Sequence, residues 1–337
     1  MKICTHLFGI LSLSAILLLA GCGLNNNTAS TNGGNASVTP SNAAEATSTP
    51  SAEKLKVKTS FYPIYEFTRN VAGDLADVEN LVPAGVEPHD WEPTPQDMTG
   101  ITDADVLIYN GAGMEGWIEQ VLDSAGDHLI AVEASKGIEM MEGSEEEHEE
   151  EDDHAVEEEH DHGELDPHVW LSPRLAIQEV RNIEVALAKA APQHADAFKA
   201  NADAYVTKLE ILDQDFRDEL KDTLRKDFIT QHAAFGYLAK EYGLTQVPIA
   251  GLSPEQEPSA AQMAEVVKFA KDHNVKTIFF ETLVSSKVAD TIAAEIGAKS
   301  AVLNPVEGLT EEDISNNLDY VVVMKQNLES LKTALNE

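Results

Sequence analysis

Residues 227–250 read DFITQHAAFGYLAKEYGLTQVPIA. The run 227–231 suits a short buried strand, residues 233–242 carry helical spacing, Gly243 stops that helix, and 245–250 suits a second strand. A strand that hands over to a helix and then to another strand is the repeating unit of a parallel sheet. The rhythm continues downstream, with strands expected at 275–281 and 299–304 and helices at 258–273, 285–296 and 311–335. It also occurs upstream. There, strands are expected at 54–60, 77–83, 104–110 and 128–133, with helices from Ile64 to Ala72 and around Trp117 to Leu122. The expected fold class is therefore α/β: two lobes with parallel-type sheets flanked by helices, at residues 54–172 and 225–337.

Between the lobes, residues 173–224 read as a helical connector. Apolar residues fall at Phe198, Ala202, Tyr205, Leu209, Leu212, Phe216, Leu220 and Leu224, at intervals of three or four. That is one amphipathic stripe. No Gly or Pro interrupts the chain from Gln193 to Leu224, so the stripe predicts one long, rigid linking helix.

The first residues read as an address. Residues 1–21 combine Lys2 with an apolar run of signal-peptide length, too short for a comfortable membrane span. The run ends in Leu19-Ala20-Gly21-Cys22, which resembles a bacterial lipobox and implies cleavage before Cys22 and lipidation of its thiol. Two acyl chains anchor a protein stably where one is marginal. Residues 22–53 are rich in Asn, Ser, Thr, Gly and Pro, cannot bury apolar surface, and read as a disordered tether reaching about 30 Å.

Composition narrows the function. The 337 residues include 59 acidic and 23 basic side chains, a net charge of −36. Without a basic face there is nothing to displace counterions from phosphates, so nucleic acid is excluded as a partner. Attraction to an anionic membrane surface fails for the same reason, which leaves the lipid anchor as the membrane contact. The only cysteines are Cys4 and Cys22, so the body can hold neither a disulfide framework nor a thiolate zinc site. No Walker-type Gly-rich motif is present.

Histidine carries the remaining signal. His89, in VPAGVEPHDWEPTPQD, follows the strand expected at 77–83, and Pro88 restricts the backbone before it. His168, in LDPHVWLSP, also follows a proline, and His232 stands where a strand hands over to a helix. Ligands of α/β sheets collect beyond the carboxyl ends of the strands, and neutral imidazole is the commonest metal ligand. These three are the expected metal histidines, converging from both lobes. A divalent ion also wants a carboxylate. Glu281 and Glu307 each follow an expected strand, and spacing does not choose between them. Asp90, Glu92 and Asp166 lie close in sequence to the histidines and are expected to orient ring nitrogens.

The strings PHDWEPTPQD, YNGAGMEGWIE, DPHVWLSP, QHAAFGYLAKEYGL and LNPVEGLT resemble, in order, the zinc-binding receptors of bacterial ABC importers, the ZnuA/AdcA-like branch of the metal-receptor lipoproteins. The resemblance runs from Lys54 to Leu331. It implies a metal site of His89, His168, His232 and Glu307, which ranks Glu307 above Glu281. It also implies zinc as the transported ligand, a membrane permease and a cytoplasmic ATPase as partners, and an extracytoplasmic, lipid-anchored, monomeric receptor.

Three imidazoles and one carboxylate suit zinc, whereas oxygen-richer sites suit manganese. A manganese or iron receptor is the alternative within this class. A surface adhesin lipoprotein is the alternative outside it. Four protein ligands leave no open position for the water that catalytic zinc needs, so no enzyme is expected. Residues 142–164 form a separate acidic segment. From Glu145 to Glu164 it has 13 acidic residues, no Lys or Arg, and His148, His154, His160 and His162. Charge repulsion predicts a mobile loop, and its histidines are expected to form a secondary, low-affinity metal site that captures zinc near the cleft.

Overall fold

The strand–helix rhythm produces two four-stranded parallel sheets. The computed structural model describes residues 54–126, 128–143 and 165–337. The leader, Cys22, the tether and the four histidines of the acidic segment lie outside the described residues. In the first lobe, β1 (Leu55–Thr59), α1 (Tyr62–Ala72), β2 (Ala76–Asn80), α2 (Pro95–Thr102), β3 (Val106–Tyr109), α3 (Ile118–Ala125) and β4 (Ile130–Glu133) follow one another, and the sheet order is β2-β1-β3-β4. Then come α4 (Pro173–Ala190) and α5 (Ala195–Leu220), a helical pair joined by the 3-10 turn Pro192–His194. In the second lobe, β5 (Asp227–Thr230), α6 (Gly236–Tyr242), β6 (Thr245–Pro248), α7 (Ala260–Asp272), β7 (Thr277–Phe280), α8 (Lys287–Ile296) and β8 (Lys299–Val302) give the order β6-β5-β7-β8. The chain closes with α9 (Glu311–Ser315) and α10 (Tyr320–Leu335).

Every pairing is parallel. Val57 stands between Val78 and Val106 in the first sheet, and Ile229 stands beside Val247 and Ile278 in the second. In both sheets the chain steps from the first strand to one neighbour and then crosses to the other side. That reversal opens a crevice at the carboxyl ends of the strands, where ligands bind in sheets of this kind.

Eight strands lie where their periodicity places them; α2 was not expected from the sequence, and three of the expected helices differ for identifiable local reasons. The helix expected over 233–242 starts at Gly236. Residues 232 and 233 have other bonds to make: the His232 carbonyl accepts from Thr230 Oγ1 and Gln246 Nε2, and Ala233 N–H donates to Gly251 O. The long helix ends at Leu220 rather than Leu224, because Lys226 Nζ donates to the terminal carbonyls of Leu220 and Lys221. Leu224, the last residue of the stripe, is exposed. The helix expected over 311–335 is two helices. Asn317 takes a left-handed conformation (φ 56°), and Asp319 restarts the chain by accepting from Val322 N–H at 2.8 Å.

The connector is a spine and not a free strut: α5 packs on α1, α4, α6 and α10. Its residues Phe198, Leu209, Leu212 and Phe216 are buried in one apolar cluster that takes in Phe67 and Val180 on one side and Phe235, Val323 and Leu331 on the other. Trp170 is sealed into this cluster, edge-on to Phe61 at 4.9 Å. Among the described residues no helix is long and apolar enough to cross a membrane.

Candidate metal centre

Four segments deliver one side chain each to the crevice. His89 comes from the connection between β2 and α2, and His168 from the turn that enters α4. His232 follows β5 directly, and Glu307 lies in the loop after β8. His168, His232 and Glu307 are buried, and His89 retains 11% of its side-chain exposure. The four residues that the family resemblance implies as the main metal site, His89, His168, His232 and Glu307, therefore meet at one point.

The three histidines present Nε2. The Nε2 atoms of His89 and His168 are 3.3 Å apart, and those of His168 and His232 are 3.4 Å apart. Glu307 Oε1 stands 3.4 Å from His89 Nε2, 3.4 Å from His168 Nε2 and 3.3 Å from His232 Nε2. All four atoms lie within 4.8 Å of one another. A tetrahedron around zinc with bonds of about 2.0–2.1 Å has edges of about 3.3–3.4 Å. These five edges have that length, so the donor set fits a four-coordinate zinc ion.

Each buried imidazole needs its other nitrogen satisfied, and two of these partners are carboxylates. His168 Nδ1 donates to Asp166 Oδ1 at 2.8 Å, and His232 Nδ1 donates to Glu281 Oε1 at 2.5 Å. A carboxylate can only accept here, so both rings carry a proton on Nδ1, and Nε2 is the nitrogen that faces the cluster and would bind a metal once its own proton is lost. Glu281 is thus close to the site but behind His232, and the contest with Glu307 is decided by which carboxylate faces the cluster. Asp90 and Glu92, expected to orient histidines as Asp166 does, are exposed instead.

One partner was missed in the sequence. Glu87 accepts from the backbone N–H of His89 with both carboxylate oxygens, each at 3.1 Å. Asp166 does the same for His168 N–H at 3.0 Å. The readable signal is a repeated acid-Pro-His triplet, Glu87-Pro88-His89 and Asp166-Pro167-His168. In each, the acid folds back onto the histidine two residues later. The shorter Asp166 side chain reaches the ring as well as the backbone.

Electrostatics binds the site into one unit. Burial works against a charged His232, but Glu281 and Glu307 outweigh it and push its pKa up to about 10. Burial also works against a charged His168, and Asp166 and Glu307 again prevail, raising it. His89 lacks such a partner set, and burial lowers it. Burial alone would raise Glu307. The positive charge of His232 and the bonds from the three imidazoles hold it well below the usual carboxylate range instead. Burial and the charge of Glu307 push the Glu87 carboxyl up to about 7.

The acidic segment begins and ends beside the site. Glu142 and Leu165 form an antiparallel bridge, and Asp166 N–H donates to Met141 O at 2.9 Å. Tyr237 clips the same junction, accepting from Met141 N–H and donating to Asp166 O, both at 2.8 Å.

Comparison with known proteins identifies the family. Residues 57–334 match the family described as ZnuA, zinc-uptake complex component A, periplasmic. The chain is 54% identical over 284 residues to the high-affinity zinc uptake system protein ZnuA of Bacillus subtilis, covering 84% of this chain and 88% of that one. It spans 56% of the length of the zinc-binding protein AdcA of Streptococcus pyogenes. The crystal structure of the Zn(II)-bound ZnuA-like domain of Streptococcus pneumoniae AdcA superposes with a TM-score of 0.72 at 41% identity, covering 85% of this chain and all of that one. The laminin-binding protein of Streptococcus agalactiae, titled a bifunctional protein with adhesin and metal transporting activity, superposes with a TM-score of 0.73 at 37% identity, covering 83% of this chain and 99% of that one. With the family matched over nearly all of the body, the chain belongs to the ZnuA family of zinc-uptake components.

Proposed function

We propose that this protein is the extracytoplasmic zinc receptor of an ABC importer, taking Zn²⁺ between His89, His168, His232 and Glu307. The tetrahedral spacing of those four donor atoms carries the reading. Three imidazoles and one carboxylate favour zinc over manganese or iron. The filled ligand set also leaves no position for an attacking water, which supports a carrier over a hydrolase. The chain has no nucleotide-binding loop, so a separate permease and ATPase supply the energy for uptake. Cys22, lipidated after removal of residues 1–21, holds the monomeric receptor at the outer face of the membrane. Residues 22–53 act as the tether.

The test is elemental analysis of the purified protein equilibrated with equal zinc and manganese. One tight zinc per chain is expected, and it should be lost in His89→Ala. Bound manganese overturns the selectivity argument, and zinc that persists in the variant moves the main site elsewhere. For the acidic segment, His148, His154, His160 and His162 support weak capture of zinc beside the main site. Deleting 143–163 should slow uptake at low zinc, and unchanged uptake refutes capture.

A second reading, surface adhesion alongside transport, is favoured by the likeness to the Streptococcus agalactiae protein. Laminin binding by a His89→Ala/His168→Ala/His232→Ala variant tests it. Retained binding supports an adhesive surface independent of zinc, and no binding by the wild type removes the reading.

A further inference from the structure

Carboxylates orient His168 and His232 directly. Glu307 is placed differently, through the backbone that carries it, and the controlling contacts start on a helix that supplies no ligand. Asn327 lies on the buried face of α10, between Met324 and Leu331 in an otherwise largely apolar stripe. Its side chain imitates a neighbouring strand. Asn304 N–H donates to Asn327 Oδ1 at 2.8 Å, and Asn327 Nδ2 donates to Asn304 O at 2.6 Å. The amide thus completes the backbone pairing of the chain just after β8 ends.

Asn304 passes the constraint on. Its Oδ1 accepts from Val306 N–H at 2.7 Å. Val306 is buried with φ at +59°, a left-handed conformation unfavourable for a β-branched residue and held only where the surroundings impose it. Trp170 Nε1 donates to Pro305 O at 2.8 Å and fixes the same loop from the His168 side. The next residue after this turn is Glu307.

We infer that Asn327 is a positioning residue for the carboxylate ligand, acting through Asn304 and the left-handed turn at Val306 to place Glu307 Oε1 at its vertex. The inference rests on Glu307 being a ligand. An unpaired Asn304 would let the loop relax out of its strained turn and withdraw the carboxylate, opening one coordination position.

The experiment substitutes cobalt(II) for zinc, because its visible absorption is intense in a four-coordinate tetrahedral site and weak at higher coordination. Asn327→Leu keeps the apolar face of α10 and removes both bonds to Asn304. It should weaken cobalt absorption as Glu307→Gln does and weaken zinc binding by roughly 10–100-fold. Adding Asn327→Leu to Glu307→Gln should cost no further affinity, since both changes act on one ligand. Leu331→Ala, one turn further along α10, should lower the melting temperature and leave the cobalt spectrum unchanged. Asn304→Ala removes only the bond to Val306, so it tests the same path should Asn327→Leu fail to fold, with the same spectral loss expected. A wild-type cobalt spectrum in the folded Asn327 or Asn304 variant, beside an altered one in Glu307→Gln, overturns the positioning role and leaves the metal site standing. An unchanged spectrum in Glu307→Gln overturns Glu307 as a ligand, and the inference with it.

Discussion

His232 sits between two carboxylates with different tasks: Glu281 holds Nδ1, and Glu307 stands beside Nε2. Without metal this pair pushes the imidazole pKa from 6.5 to about 10, so at neutral pH the ring carries a proton where zinc needs a lone pair. Zinc binding at pH 7 should therefore expel about one proton from His232. Calorimetry in buffers of different ionisation enthalpy measures this, and the absence of proton release would show a neutral His232. The sign for stability follows from linkage. A raised pKa contributes stability that is fully present below 6.5 and lost as the pH rises towards about 10. The melting temperature of the metal-free protein should fall across that window while zinc affinity rises. Gly236 poses a different residue-scale question. A Cβ there would lie 2.8 Å from Asp166 Oδ2, and the other oxygen of that carboxylate is bound to His168. Gly236→Ala should improve the helix locally by up to about 1 kcal/mol. It should also turn Asp166 off the imidazole and weaken zinc about tenfold or more. Equal affinity in titrations of the two proteins would show that Asp166 can move freely.

Element by element, legibility followed periodicity. The parallel strands were readable because each is a short apolar run placed between helical segments, and the carboxyl-end positions of His89 and His232 followed from them. The break between α9 and α10 was not readable from the apolar stripe, which passes through it. The determinants are the left-handed Asn317 and the capping Asp319, local polar effects that hydrophobic spacing does not record. Likewise Glu281 and Glu307 both follow strands, and only the direction of each side chain shows that Glu307 faces the cluster and Glu281 stands behind His232; the family resemblance ranked them where spacing could not. For α5, pattern and packing agree up to Leu220. Leu209 lies fully buried within it, in a helix that supplies none of the four residues of the candidate site. Leu209→Ala should cost about 2–5 kcal/mol of stability while zinc affinity in the folded protein stays within a few-fold. A large loss of affinity measured well below the melting temperature would mean that α5 sets the cleft geometry as well as the core.

At the scale of the whole molecule, the site and the core make the same demand. His89 and His168 precede the α4–α5 pair, His232 and Glu307 enter after it, and one apolar cluster runs across α1, α5 and α10. A zinc ion held as proposed by all four residues needs both sheets in place, so its binding should stabilise the assembled chain and not either half alone. At a free zinc concentration a thousand times the dissociation constant, the gain is about 4 kcal/mol. At about 2.1 cal/mol/K of unfolding entropy per residue, that gain corresponds in a body of this size to a rise in melting temperature of roughly 7 °C. Trp91 and Trp117 pack on each other within the first lobe, whereas Trp170 bonds to Pro305 of the second, so in a Trp170→Phe variant tryptophan fluorescence reports the first lobe while circular dichroism reports both. With a shared core, the two probes should give one coincident transition without metal, and zinc should move both together by the same amount. Manganese, poorly matched to three imidazoles, should shift them less at equal concentration. Separate transitions would mean that the lobes fold independently and that the metal, rather than the core, joins them. A manganese shift equal to that of zinc would show that this ligand set does not discriminate.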